Sequence, residues 1–204
     1  MLLVGLTGSI GMGKTAIASR LRELGVPICD ADAEVHKLYE GEAVAPIEAA
    51  FPGTTANGKV DRQKLAGSLL ADPRGFARLE AIVHPLVQAA ERNFLQRAAG
   101  AGAEIAVLEV PLLFETGGDK RVDVVIVASA PEETQRRRVL ERESMTPEKL
   151  EQVLSRQLSD TEKRARADFV VDTGGTFAET HSQVDRIIRS LKGRRGSAFA
   201  TYWA

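Results

Sequence analysis

The chain has 204 residues, enough for one domain with room for an insertion. Lys and Arg (27) nearly balance Asp and Glu (28), so no global basic field gathers nucleic acid and any anion site has to be local. The single cysteine, Cys29, excludes an internal disulfide and a cysteine zinc cluster, and it fits a reducing compartment.

The chain opens on MLLVGLTGS, which is apolar but short and has no basic segment ahead of it. It reads as a first strand over residues 2–6, buried on both faces, rather than as a signal peptide. No apolar run approaches membrane-span length, so the expectation is a cytoplasmic protein with neither membrane nor nucleic acid as partner. Residues 14–24 place Ile17, Ala18, Leu21 and Leu24 at helical spacing, with Gly25 where a C-terminal cap glycine sits. A second short strand spans residues 26–29 and ends at Asp30. Residues 33–100 read as mostly helical. Within them, Asp72-Pro73 looks like a helix start, and Pro85 is expected to break or kink its helix.

Strands follow at residues 105–110 (IAVLEV), 122–128 (VDVVIVA) and, more weakly, 169–171. Strand–helix alternation implies a parallel sheet. Ser129 with Glu132 and Thr176 with Glu179 fit the capping-box spacing, and Thr146-Pro147 opens another helix. Residues 132–165 are helical and rich in arginine. The tail KGRRGSAFATYWA reads as a frayed or surface-docked end.

Residues 8–15, GSIGMGKT, match G-x-x-x-x-G-K-[ST] in full. The glycines permit backbone angles that turn amide N–H groups inward towards phosphate oxygens. The helix that opens at Lys14 adds its positive end. The candidate nucleotide contacts are Gly8, Gly11, Met12, Gly13, Lys14, Thr15 and Ala16. Lys14 can reach the outer phosphates of a nucleoside triphosphate, and the Thr15 hydroxyl can ligate Mg²⁺. The motif alone does not separate kinase, GTPase and ATPase.

Strand two leads into DADAEVH, residues 30–36. At the carboxyl edge of a parallel sheet a carboxylate can orient or deprotonate a hydroxyl, or help hold Mg²⁺ through water. Asp30 can equally be an N-cap, and Asp32 a first-turn charge favoured by the helix dipole. Asp32 and His36 stand four residues apart on one helix face. Gln135, Arg138 and Arg142 share another face at i, i+3 and i+7. Beside a phosphate loop this suits a lid whose arginines neutralise transition-state charge better than a merely solvated face. Glu109 sits in an apolar strand, where it could serve Mg²⁺ but where an unpaired charge is costly.

Taken together, GSIGMGKT, DADAEVH, HP (84–85), VPLLFE, QRRRVLER and ADFVVD resemble the dephospho-CoA kinase family, from residue 2 to about 175. The resemblance implies an α/β, three-layer P-loop kinase core with a parallel five-stranded sheet, a helical substrate-side insertion and a helical lid. The core would take residues 1–32, 101–131 and 166–192, the insertion 33–100 and the lid 132–165. It implies transfer of the ATP γ-phosphate to the 3′-hydroxyl of dephospho-CoA ribose, giving CoA and ADP, by a monomer or weak homo-oligomer. Asp32 becomes the catalytic carboxylate, and Lys14, Arg138 and Arg142 the phosphate-directed cations. His36, His84, Pro111, Leu112 and Glu115 fall near the acceptor. Two positions depart from the family pattern. Thr173 stands where an asparagine near the adenine is common, and Val153 where a lid arginine is common. Two rivals bear on the same residues: a related small-molecule kinase, and a nucleotide-driven switch. The switch lacks a guanine-specific N-K-x-D motif.

Overall fold

In the computed structural model, which describes every residue except Pro73 and Ser144, β1 (Leu2–Thr7) is buried at all its positions. Such a strand is covered on both faces. In chain order there follow α1 (Lys14–Glu23), β2 (Ile28–Asp30), α2 (Ala31–Leu38), α3 (Val44–Ala50), β3 (Thr55–Ala56), β4 (Lys59–Val60), α4 (Arg62–Ala71) and α5 (Gly75–Gly100). The second half carries β5 (Ile105–Glu109), β6 (Val124–Ser129), α6 (Glu132–Leu140), α7 (Pro147–Leu154), α8 (Asp160–Ala165), β7 (Phe169–Asp172) and α9 (Phe177–Leu191). The chain divides into two units, Met1–Cys29 with Leu95–Ala204, and Asp30–Phe94.

The five-stranded sheet has the order β2-β5-β1-β6-β7, with β1 central and parallel to β5 and β6. Alternate residues face opposite sides. Val4, Leu6 and Ile126 pack with Ile17 and Leu21 of α1 and Val184, Ile188 and Leu191 of α9. On the other face Val125 and Val127 meet Leu113 and Phe114. This is the three-layer core expected from the sequence.

Local signals explain the ends of these elements. Gly25, in the left-handed region at φ 74°, donates to Arg22 O, while Val26 N–H reaches back to Leu21 O at 3.0 Å. The pair closes α1 as a Schellman cap. Thr176 and Glu179 form the expected capping box on α9. Thr146 caps α7, with Pro147 in its first turn.

Two expectations need correction. Ser129 does not cap α6, because β6 runs one residue further than expected and Ser129 pairs with Asp172 of β7. Its hydroxyl donates to Asp160 Oδ2 at 2.8 Å, and Pro131 takes the cap position. Pro85 does not end its helix, since α5 continues through it to Gly100. Proline removes one N–H and crowds one carbonyl, and the remaining bonds of this 26-residue helix carry it through. In the expected Asp72-Pro73 start, the proline lies outside the described residues. Asp72 itself lies in extended backbone after α4 and accepts the Arg74 N–H on its side chain at 2.8 Å, as the expected cap does, and it also binds Arg78 at 2.9 Å.

The second unit has its own core of Leu38, Ile47, Phe51, Val60, Leu65, Leu69 and Val83. It contains an element not foreseen, the β3–β4 hairpin. Asn57 (φ 52°) and Gly58 (φ 75°) form its turn, the Asn-Gly pairing that two-residue hairpins favour. Among the described residues, no helix is long and apolar enough to cross a membrane.

The tail is docked. Trp203 is buried, its indole N–H donates to Arg121 O at 2.9 Å, and the Arg121 guanidinium lies 4.2 Å from the ring centre. The Asp123 carboxylate gathers three backbone N–H groups, from Leu3, Ser197 and Ala198, at 2.7–2.9 Å. Asp123→Ala should therefore loosen the tail and cost about 2–4 kcal/mol of stability. Trp203 is the only tryptophan, so its fluorescence reads the change directly. A red-shifted emission and a lower Tm are expected; wild-type emission and Tm would refute the clamp.

Candidate active site

The segment between β1 and α1 forms the phosphate loop. Gly11 (φ 77°) and Gly13 (φ 81°) occupy the left-handed region, and Gly13 serves as the N-cap of α1. Other residues would be strained there. Space forbids them too, because a Cβ on Gly11 would lie 2.5 Å from Val139 Cγ2 and one on Gly13 2.7 Å from Thr173 Oγ1. Lys14 reaches back across the loop to donate to Gly8 O at 2.7 Å. Thr15 is exposed in the first turn of α1, and Ala16 N–H turns back to Gly13 O. Met12 N–H closes a turn on Ser9 O at 3.1 Å.

Side chains from three later segments hold the loop backbone. Gln135 of α6, 4% exposed, donates from Nε2 to Ile10 O at 2.8 Å. Gln157, between α7 and α8, accepts from Ile10 N–H at 3.1 Å. Thr173, just past β7, donates its hydroxyl to Met12 O at 2.8 Å. Arg138 is tied to the same point, its Nη2 donating to Thr173 O at 2.7 Å. The Thr173 hydroxyl thus faces the loop from a buried position, and it is not presented outward as an adenine contact.

The expected single face of Gln135, Arg138 and Arg142 holds only for the first two. α6 ends at Leu140 with Glu141 as its C-cap, so Arg142 lies in the turn beyond, with its side chain exposed. The i+7 relation needs a helix that continues.

The PLLFE stretch forms a second cluster in the same unit. Pro111 O accepts from Thr7 Oγ1 and from Lys163 Nζ, both at 3.1 Å. Glu115 Oε1 meets Lys163 Nζ at 2.9 Å and Leu158 N–H at 2.8 Å. Lys163 is completely buried. Burial pushes the Glu115 carboxyl up, but the ammonium and the Leu158 amide outweigh it and hold the group below the usual carboxylate range. Glu115 therefore acts on α8 and the approach to it. Leu113 and Phe114 are core residues, and Leu112 is exposed. Glu109 is buried at the end of β5, in register with Leu6.

Asp32, His36 and His84 belong to the second unit. Asp30 is the N-cap of α2, accepting from Ala33 N–H at 3.1 Å, which leaves Asp32 exposed in the first turn. His36 Nδ1 lies 2.7 Å from Asp32 O, so the pair is linked through the backbone carbonyl. His84 and Pro85 are both exposed on α5.

Three contributors escaped the sequence reading of function: Gln157, Thr173 and Lys163. Thr173 stood out only as a departure from the family pattern, and Gln157 lies in none of the motifs. A lysine gives no sign in sequence that it will be buried, since the residue is almost always exposed.

The family model for dephospho-CoA kinase matches residues 2–179. The chain belongs to this family. It is 55% identical over 190 residues to a dephospho-CoA kinase from Rhodopseudomonas palustris, covering 93% of this chain and 96% of the relative. It is 53% identical over 197 residues to one from Mesorhizobium japonicum, covering 97% and 100%. Among solved structures, a Thermus thermophilus protein superposes with a TM-score of 0.82 at 30% identity, covering 95% of this chain and 98% of that one. The fold, the loop and the motif order thus agree with the family across both units.

The Glu115–Lys163 pair yields a test. Glu115→Gln leaves a buried ammonium without its counter-charge and should cost about 3 kcal/mol, lowering Tm by roughly 6–12 °C near neutral pH. The folded carboxyl is held low, so its contribution is complete above the ordinary carboxylate range. It fades as pH falls through the folded value, and the gap between variant and wild type should close in strong acid. Thermal melts from pH 7 to pH 2 that show a constant gap would overturn this assignment.

Proposed function

We propose that this chain carries out the family's reaction with the phosphate loop as its donor site and the second unit as its acceptor side. The reaction moves the γ-phosphate of ATP to the 3′-hydroxyl of dephospho-CoA. The bond from the γ-phosphorus to the β-bridging oxygen breaks, its electron pair leaves with ADP, and a new bond forms to the ribose oxygen. The observation that carries the reading is the strand–loop–helix geometry of GSIGMGKT, with Gly11 and Gly13 left-handed at the head of α1.

The roles divide as follows. Backbone amides from Gly11 to Ala16 and the positive end of α1 bind the phosphates. Lys14 exchanges its Gly8 carbonyl for an outer phosphate oxygen. Thr15 offers a hydroxyl to Mg²⁺, which supplies charge neutralisation of the phosphates when bound. No cluster of three or more His, Cys, Asp or Glu suited to a metal occurs among the described residues. Mg²⁺ at such a site keeps several waters and leans on substrate phosphates. Asp32 accepts the proton of the 3′-hydroxyl. Arg138 and Arg142 neutralise charge on the transferring group. His36, His84, Pro111, Leu112 and Glu115 serve the acceptor, and Glu115 is held in place by Lys163.

Residues 132–165 form the lid. Its two roots are fixed to the core, one by Gln135 and Arg138 and the other by Gln157 and Lys163, so closure is confined to the stretch between Arg138 and Gln157. Closing excludes water, which would otherwise compete as acceptor.

Asp32→Asn should lower kcat by about 10²–10⁴-fold while leaving ATP binding within a few fold. Lys14→Ala should weaken ATP binding and also lower kcat, because its contact with the outer phosphates is made in the ground state and strengthens as charge develops in the transition state. The assay follows ADP and CoA from Mg²⁺-ATP and dephospho-CoA, with AMP, adenosine and gluconate as competing acceptors. Near-wild-type turnover in Asp32→Asn would remove the base assignment, and preference for another acceptor would redirect the substrate assignment.

A further inference from the structure

The phosphate loop owes its form to glycines, and glycines alone do not hold a form. Gly11 and Gly13 sit at φ 77° and 81°, where glycine is free to turn. The peptide planes around them would be the first to flip. The plane that precedes each glycine has its carbonyl held from outside the loop.

In the Ile10–Gly11 plane, Gln135 Nε2 holds the carbonyl at 2.8 Å. In the Met12–Gly13 plane, the Thr173 hydroxyl holds the carbonyl at 2.8 Å. All peptide bonds in the described residues are trans. A trans plane points its carbonyl and its following N–H in opposite directions. Anchoring Ile10 O therefore sends the Gly11 N–H away from α6, and anchoring Met12 O sends the Gly13 N–H away from Thr173. Gln157 fixes the plane before these by accepting the Ile10 N–H at 3.1 Å. Ile10 is thus gripped on both its backbone groups, from the two ends of the segment assigned as the lid.

We propose that Gln135, Gln157 and Thr173 are positioning residues for phosphate transfer: they touch no reacting atom, and they aim the Gly11 and Gly13 amides at the nucleotide phosphates. This rests on the reading of residues 8–16 as the ATP site.

The decisive comparison is Thr173→Val against Thr173→Ser. Valine keeps the volume and loses the hydroxyl, whereas serine keeps the hydroxyl. Thr173→Val should raise the Kd for ADP and the KM for ATP about tenfold, as expected for one lost anchoring hydrogen bond. KM for dephospho-CoA should not move, and kcat should change little, because the loop binds ground and transition states alike. Thr173→Ser should return ADP affinity to within about twofold of wild type. Gln157→Met, at a half-buried position, should repeat the valine pattern and carries the test if Thr173→Val does not fold. Titration calorimetry with ADP and steady-state kinetics give these readouts, with Tm measured alongside. A lower Tm with unchanged ADP affinity would overturn the proposal, and so would a serine variant that behaves like the valine one. Wild-type protein that binds no ADP would instead strike the phosphate-site reading itself.

Discussion

Thr173 gives its hydroxyl to Met12 O at 2.8 Å from so close a position that Gly13 has no room for a Cβ. The first unit is arranged around that contact. β7 pairs with β6 as far as Ser129 and Asp172, and Thr173 N–H continues the ladder to Ser129 O at 2.8 Å. The hydroxyl is thereby placed by sheet hydrogen bonds and does not rely on a mobile loop. Val139 approaches Gly11 from the other side, so the loop is shaped by exclusion as well as by attraction. A loop built this way needs little rearrangement when a charged ligand arrives, so less of the binding free energy is lost to ordering it.

The buried pair of Glu115 and Lys163 solves a different problem. The loop after β5 and the helix α8 are distant in sequence, and both lead away from the sheet edge where the phosphate loop begins. Lys163 joins them by binding Pro111 O and Glu115 together, while Thr7 at the end of β1 shares the Pro111 carbonyl. Such a pair contributes little net stability over a packed hydrophobic alternative, because both charges lose water. What it does is define one arrangement: no neutral substitute can hold a carbonyl, a carboxylate and a helix start at a single point.

Features carried by local pattern were legible in the sequence. The β1–loop–α1 unit followed from the full motif and from Ile17, Ala18 and Leu21, and the α9 cap from Thr176 and Glu179. The hairpin at Asn57-Gly58 carried its turn signal, but two-residue strands are too short to show alternation, and helical neighbours hid it. Ser129 and Glu132 had the spacing of a cap, yet strand pairing claimed Ser129 first. Arg142 failed for the same kind of reason, since periodicity says which residues share a face only while the helix lasts. Among the site residues, the glycines, Lys14 and Thr15 could be placed by motif. Gln157, Thr173 and Lys163 act through contacts spanning from about fifty to more than a hundred and forty positions of chain. No local rule reaches that far.

Lys163 has one more consequence. Its amine has no exposed surface in the native fold, so a reagent that acylates lysines in solution can reach it only when α8 lifts away. The exposed lysines of the same chain would react at once. The slow acylation of this one side chain is therefore a clock for local opening at the root of α8, readable by peptide mass without any probe added to the protein.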